Sequence, residues 1–114
     1  MRPFLIAVAA IALMGGSAIA QNKPTRFWNL TLHTVTNLQL SPAGKNEWGA
    51  NQCKNDRDGT VDHDERVNVV GVQAGRYDVK IADDSGRACV VRNVEVKPGG
   101  IFAIEEKQLI DCGK

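Results

Sequence analysis

The chain has 114 residues, with 14 Lys+Arg against 13 Asp+Glu and 3 cysteines. So even a charge balance argues against a binder of nucleic acid or anionic membrane, which needs an excess of Lys and Arg. A chain this short builds one small domain with a modest core, the kind that gains from a covalent staple.

Residues 1–20 read as a signal peptide. Arg2 supplies the n-region charge, residues 4–14 are an unbroken apolar run, and Ala18-Ile19-Ala20 is a small-x-small cleavage site. At about 1.5 Å per residue the run falls far short of a ~30 Å hydrocarbon core, so no membrane span is expected. No cysteine follows the cleavage site, which argues against a lipid anchor. Cleavage after Ala20 leaves residues 21–114 as a single β domain, periplasmic or secreted from a bacterium. Loss of Arg2 removes the formal net charge of +1.

Strand signals then follow one another. Phe27, Trp28, Leu30 and Leu32 lie in a Thr-rich stretch, and Val35, Leu38 and Leu40 precede the Ser41-Pro42-Ala43-Gly44 break. A polar stretch occupies residues 45–65. Val67, Val69 and Val72 lead to Ala74-Gly75; Tyr77, Val79 and Ile81 then alternate with Asp78, Lys80 and Ala82, as a half-buried strand should. Asp83-Asp84-Ser85-Gly86 is a turn signal, so residues 76–82 and 87–92 read as a hairpin. Val94 and Val96 continue to the Pro98-Gly99-Gly100 turn, and residues 101–104 make a last strand, extending up to Gln108. Residues 103–110 have the best helical composition but are too few for a helix to stand alone. The expected fold is all-β, a small antiparallel sandwich or barrel of six to seven strands.

Export places Cys53, Cys89 and Cys112 where disulfides persist. Cys89 and Cys112 flank strands near the chain end and are the favoured pair, closing a loop worth roughly 3 kcal/mol in the chain-entropy model. Cys53 is then unpaired or bridges two subunits. No Cys-x-x-Cys is present for redox chemistry, and His33 and His63 do not supply the close spacing of a zinc site.

Chemistry concentrates in residues 54–65. On an EF-hand loop, Gly59 takes the sharp turn and Asp56, Asp58 and Asp62 the side-chain ligand positions. Thr60 offers its carbonyl, and Glu65 is the bidentate ligand. A hard cation such as Ca2+ could use that oxygen set. Lys54 stands where the first Asp belongs, Arg57 reduces the negative charge, and flanking helices are missing. A solvated Asp/Gly turn between strands is the competing reading, with His63 exposed in either case.

Catalytic signals are sparse. Ser41 and Ser85 sit in turns, where a hydroxyl ordinarily bonds the backbone. His33 reads as a hydrogen-bonded sheet residue, and the neighbouring carboxylates Asp83/Asp84 and Glu105/Glu106 would point to opposite faces of a strand. No catalytic site is expected. Trp28 reads as core and Trp48, in Asn46-Glu47-Trp48-Gly49, as a surface residue. Asn29-Leu30-Thr31 fits a glycosylation sequon, which carries no weight in a bacterial export.

The chain resembles a group of small exported bacterial proteins, mostly proteobacterial, of uncharacterised function. The motifs that carry the resemblance are Trp28-Asn29, a Leu38-to-Gly44 turn leading to Trp48-Gly49, Tyr77-Asp78-Val79-Lys80, an acidic Gly86 turn before Cys89, and a Leu109-to-Cys112 close. The resemblance implies a compact periplasmic β domain and transfers no catalytic residue. The chain departs from the group at Ala74-Gly75-Arg76, where a further cysteine is common, and in its longer, more acidic loop holding Cys53. The expected function is a binding or structural module for an unknown protein or small ligand, with cation binding by the acidic loop as the alternative.

Overall fold

A computed structural model describes residues 23–113; the signal peptide read at residues 1–20 lies outside them. Seven strands form: β1 Thr25–Leu30, β2 Val35–Pro42, β3 Arg66–Val69, β4 Gly75–Asp83, β5 Ala88–Val96, β6 Ile101–Glu105 and β7 Cys112–Gly113. They make two sheets, β3-β1-β6 and β2-β4-β5-β7, so the all-β expectation holds and the architecture is an open sandwich. No helix among the described residues is long and apolar enough to cross a membrane.

One ladder departs from the antiparallel expectation. β6 runs parallel to β1, with Phe27 opposite Phe102 and Asn29 opposite Ile104. The reason lies in the Lys97–Gly100 turn: it carries the chain from the end of β5 in one sheet to β6 in the other, rather than folding it back as a hairpin.

The core sits between the sheets and is built from alternating residues: Phe27 of β1, Leu38 and Leu40 of β2, Val79 and Ile81 of β4, and Phe102 and Ile104 of β6. Each buried side chain of this size contributes roughly 1.5–3 kcal/mol over leaving it exposed. In β1 the inward positions are Thr25, Phe27 and Asn29, and the outward ones Arg26, Trp28 and Leu30. Trp28 is therefore not a core residue. Phe27 takes that place and packs on Phe102 at 5.6 Å between ring centroids. Outside, the Arg66 guanidinium lies 4.2 Å over the Trp28 ring, and the indole Nε1 donates to Asp64 at 2.9 Å.

The hairpin of β4 and β5 forms as read, with Gly86 at φ 89° in the turn. Asp83 organises it. Its carboxylate accepts from the Ser85 N–H (3.1 Å) and hydroxyl (2.6 Å) and from Arg87 Nε (3.0 Å) and Nη2 (2.9 Å). Arg87 also donates to Glu106 at 2.7 Å, tying the hairpin to the 3-10 turn Glu106–Gln108 after β6. The last strand does not extend to Gln108: β6 ends at Glu105 and the chain takes that turn instead.

Cys89 and Cys112 are disulfide-bonded across the β5–β7 ladder, as expected. Cys53 is free and fully buried, so the alternative of a bridge between subunits does not fit its position. Burial, reinforced by the nearby Asp56 charge, pushes its thiol up to about 11, which leaves it protonated and unreactive at neutral pH.

Candidate binding site

The long connection between β2 and β3 builds the site. Its first part turns back along β2: the Gly49 N–H donates to the Leu40 carbonyl (2.9 Å), and Asn51 Oδ1 accepts from the Leu38 N–H (2.9 Å). The 3-10 turn Gln52–Asn55 then crosses to β3. There the Gln52 side chain behaves like a piece of strand, with its amide both accepting from the Val70 N–H and donating to the Val70 carbonyl at 3.0 Å. Asn55 Nδ2 donates to the Asn68 carbonyl at 2.8 Å. The loop is thus clamped to one edge of each sheet.

Between this clamp and residues 70–73 lies a cleft of about 620 Å³. Leu40, Val72 and Tyr77 give it an apolar floor, and Glu47, Asn51, Lys54 and Gln73 stand around it. Tyr77 donates to the Gln73 carbonyl at 2.9 Å and so holds one wall. The cleft size falls within the ~300–1,000 Å³ of small-molecule sites, and its apolar floor with a few polar groups is their usual composition. Sequence reading missed Gln52, Val72 and Tyr77 as a group. They meet only because the Gln52 amide pins the loop to the end of β3, and no local pattern encodes that. Trp48, expected at the surface, is half-buried, with the Lys80 ammonium 4.4 Å over its ring.

The acidic loop is held by different contacts. Val61 is buried and bridged to Val35, each N–H donating to the other's carbonyl at 2.9 Å. That draws the middle of the loop into the core. Asp56 Oδ2 accepts from the Asp58 N–H (2.9 Å), Asp62 Oδ1 from the Thr34 hydroxyl (3.0 Å), and Glu65 Oε1 from the Asp62 N–H (2.8 Å). Gly59, at φ 79°, makes the tight turn. Thr60 is half-buried beside it. Among the described residues, no three His, Cys, Asp or Glu side chains come together as a metal-holding group. With Asp56 and Glu65 held by contacts inside the loop and Asp62 by Thr34, millimolar calcium is expected to leave the melting temperature unchanged. A saturable upward shift in a calcium titration, abolished by Glu65→Gln, would show that the loop rearranges around the ion.

The residues weighed for catalysis have separate partners. The buried Ser41 hydroxyl donates to the Pro42 carbonyl (3.0 Å) and accepts from the Glu47 N–H (2.8 Å). Ser85 serves Asp83. His33 is not in a strand but in the bend after β1, 3.6 Å from Asp84, and His63 Nδ1 lies 2.6 Å from the Thr31 carbonyl. Neither histidine is hydrogen-bonded to a serine or cysteine among the described residues. The sequon residue Asn29 is fully buried. Comparison with protein-family models, with curated proteins and with solved structures gave no match.

Proposed function

We propose that the protein is an exported, non-enzymatic binding module whose site is the cleft between the clamped loop and residues 70–73. The observation that carries this reading is the cleft itself, where the half-buried Val72 and Tyr77 lie beside the buried Leu40 while Gln52 and Asn51 brace the walls. A site braced in this way loses little conformational freedom when a ligand enters. The rim carries one charge of each sign, Lys54 and Glu47, so the apolar lining favours an organic ligand with an apolar body, and Lys54 can meet an anionic end. The scattered placement of Ser41, Ser85, His33 and His63 supports binding over catalysis. The signal-peptide pattern of residues 1–20 and the Cys89–Cys112 bridge support export.

Anilinonaphthalene sulfonate has this chemistry and reports its own burial by fluorescence. Saturable binding is expected, weakened about tenfold or more by Val72→Asp, which places a carboxylate on the floor beside the dye's sulfonate. Amide shifts on binding should cluster at residues 49–55 and 70–73. Shifts confined to another surface, or no saturable signal, would remove the cleft as the site.

A further inference from the structure

The two sheets have four edges, and three are blunted. The β2 edge is covered by Gly49, Asn51 and the Val61 bridge, and the β3 edge by the Gln52 and Asn55 amides. β7 covers the start of β5, whose remainder is bulged at Asn93 (φ 60°) and guarded by Arg92. Sheet proteins usually manage their edges by such covers, bulges and charges, because an open edge pairs with any strand it meets.

β6 is the exception. Among the described residues it has β1 on one side and no strand on the other. The Arg26 N–H donates to the Gly100 carbonyl at 3.0 Å, which turns Gly100, and by alternation Phe102 and Ile104, toward β1. Ile101, Ala103 and Glu105 therefore present their backbone groups to the open side. Of these, only the Glu105 N–H has a side-chain partner, Gln108 Oε1. The strand is apolar over Ile101-Phe102-Ala103-Ile104, and Ile101 is 46% exposed.

We propose that β6 pairs antiparallel with β6 of a second copy of this chain, about a two-fold axis at Ala103, joining the two three-stranded sheets into one. This register sets the outward-facing residues opposite one another, Ala103 against Ala103 and Ile101 against Glu105, with the Glu105 N–H exchanging Gln108 Oε1 for the partner's Ile101 carbonyl. Charge selects the same register. On the outer face Arg26 is the cross-strand neighbour of Ile101. Its guanidinium has no carboxylate partner among the described residues, and its Nε is buried without an acceptor. Antiparallel pairing about Ala103 sets the partner's Glu105 opposite Ile101, in the row of Arg26, and the two-fold repeats the contact. Within its own chain Glu105 closes a capping box with Gln108 at the start of the 3-10 turn, and its only ion pair among the described residues is with the exposed Lys107, at 3.6 Å, a contact of little worth. A slip of two residues would lose both Arg–Glu rows. On the inner face Phe102 meets the partner's Ile104, so the two cores become continuous.

Two short strands make a small interface, so association should depend on concentration and be visible at about 100 μM. Sedimentation equilibrium of the purified protein is expected to show a reversible monomer–dimer equilibrium. Arg26→Glu and Glu105→Arg should each weaken it about tenfold or more, because a like-charge pair replaces an opposite one twice per dimer. The double exchange Arg26→Glu/Glu105→Arg should restore it. A wild-type protein that stays monomeric overturns the proposal, as does a dimer indifferent to both reversals or a double exchange that fails to recover. If Arg26→Glu does not fold, Glu105→Arg at its exposed position carries the test alone, and an unchanged dimer then overturns it.

Discussion

Asn29→Ala should lower the free energy of unfolding by about 3 kcal/mol or more, because several buried polar groups lose their partner at once. Asn29 is fully buried and uses its whole side-chain amide. Nδ2 donates to the His33 carbonyl (2.9 Å) and the Val61 carbonyl (2.8 Å), while Oδ1 accepts from the Thr31 N–H (2.9 Å) and hydroxyl (2.7 Å). It joins the end of β1, the bend before β2 and the point where the acidic loop enters the core. Removing it leaves the Val61 carbonyl with only its Val35 contact and the buried Thr31 with fewer acceptors. Asn29→Asp should be at least as damaging at neutral pH, since it replaces two donors by an acceptor and buries a charge. Urea unfolding followed by tryptophan fluorescence reads both, with the exposed Asn68→Ala expected within about 0.5 kcal/mol of wild type. A loss below about 1 kcal/mol for Asn29→Ala would mean that water or a shifted backbone satisfies these groups.

Asn29 also shows where the sequence was readable and where it was not. Strands announce themselves by a period of two, and Tyr77 to Ala82 did so cleanly. In β1, Thr25-Arg26-Phe27-Trp28-Asn29-Leu30 carries apolar residues on both parities, so composition cannot say which face is inward. The polar Thr25 and Asn29 accompany Phe27 inside because the hydrogen bonds that satisfy Asn29 come from residues 31, 33 and 61. The Cys89–Cys112 pair was legible because both residues flank strands close in sequence. The parallel β1–β6 ladder was not, since it depends on a turn that changes sheets. The acidic loop was ambiguous for a chemical reason: alternating carboxylates suit a hard cation and suit turn N–H groups equally well. In the structure Asp56 and Glu65 accept from loop N–H groups, and Val61, one apolar residue in a polar stretch, is drawn into the core between them. The cleft had no local signature, because its walls are separated in sequence and joined by the Gln52 amide.

Arg87→Met is expected to cost about 3–5 kcal/mol at neutral pH, the penalty for removing one partner of a buried ion pair. The Asp83 side chain is only 2% exposed, and Arg87 lies between it and Glu106. Burial works against the Asp83 charge, but hydrogen bonds from Ser85 and Arg87 outweigh it and hold the carboxyl below its ordinary value. Glu106 is likewise held low, first by Arg87 and then by the Leu32 N–H. A carboxylate whose folded pKa is depressed stabilises the fold above its unfolded value, near 4, and that contribution is lost as pH falls through the folded value. Wild-type stability should therefore decline as pH falls below about 5. In the variant only burial, the Ser85 contacts and the long backbone N–H contact from residue 87 (3.4 Å) act on Asp83, so its carboxyl titrates nearer to, or above, the unfolded value and loses less on protonation. The stability gap between the two proteins should narrow steadily toward pH 3. Asp78 is held low by the Gly44 and Asn93 N–H groups and by Arg92, contacts that both proteins keep, so its acid loss is common and cancels from the gap. Urea unfolding across that range measures the difference directly. A gap that stays constant with pH would show that Arg87 acts through the packing of its aliphatic stem rather than through the charges it joins.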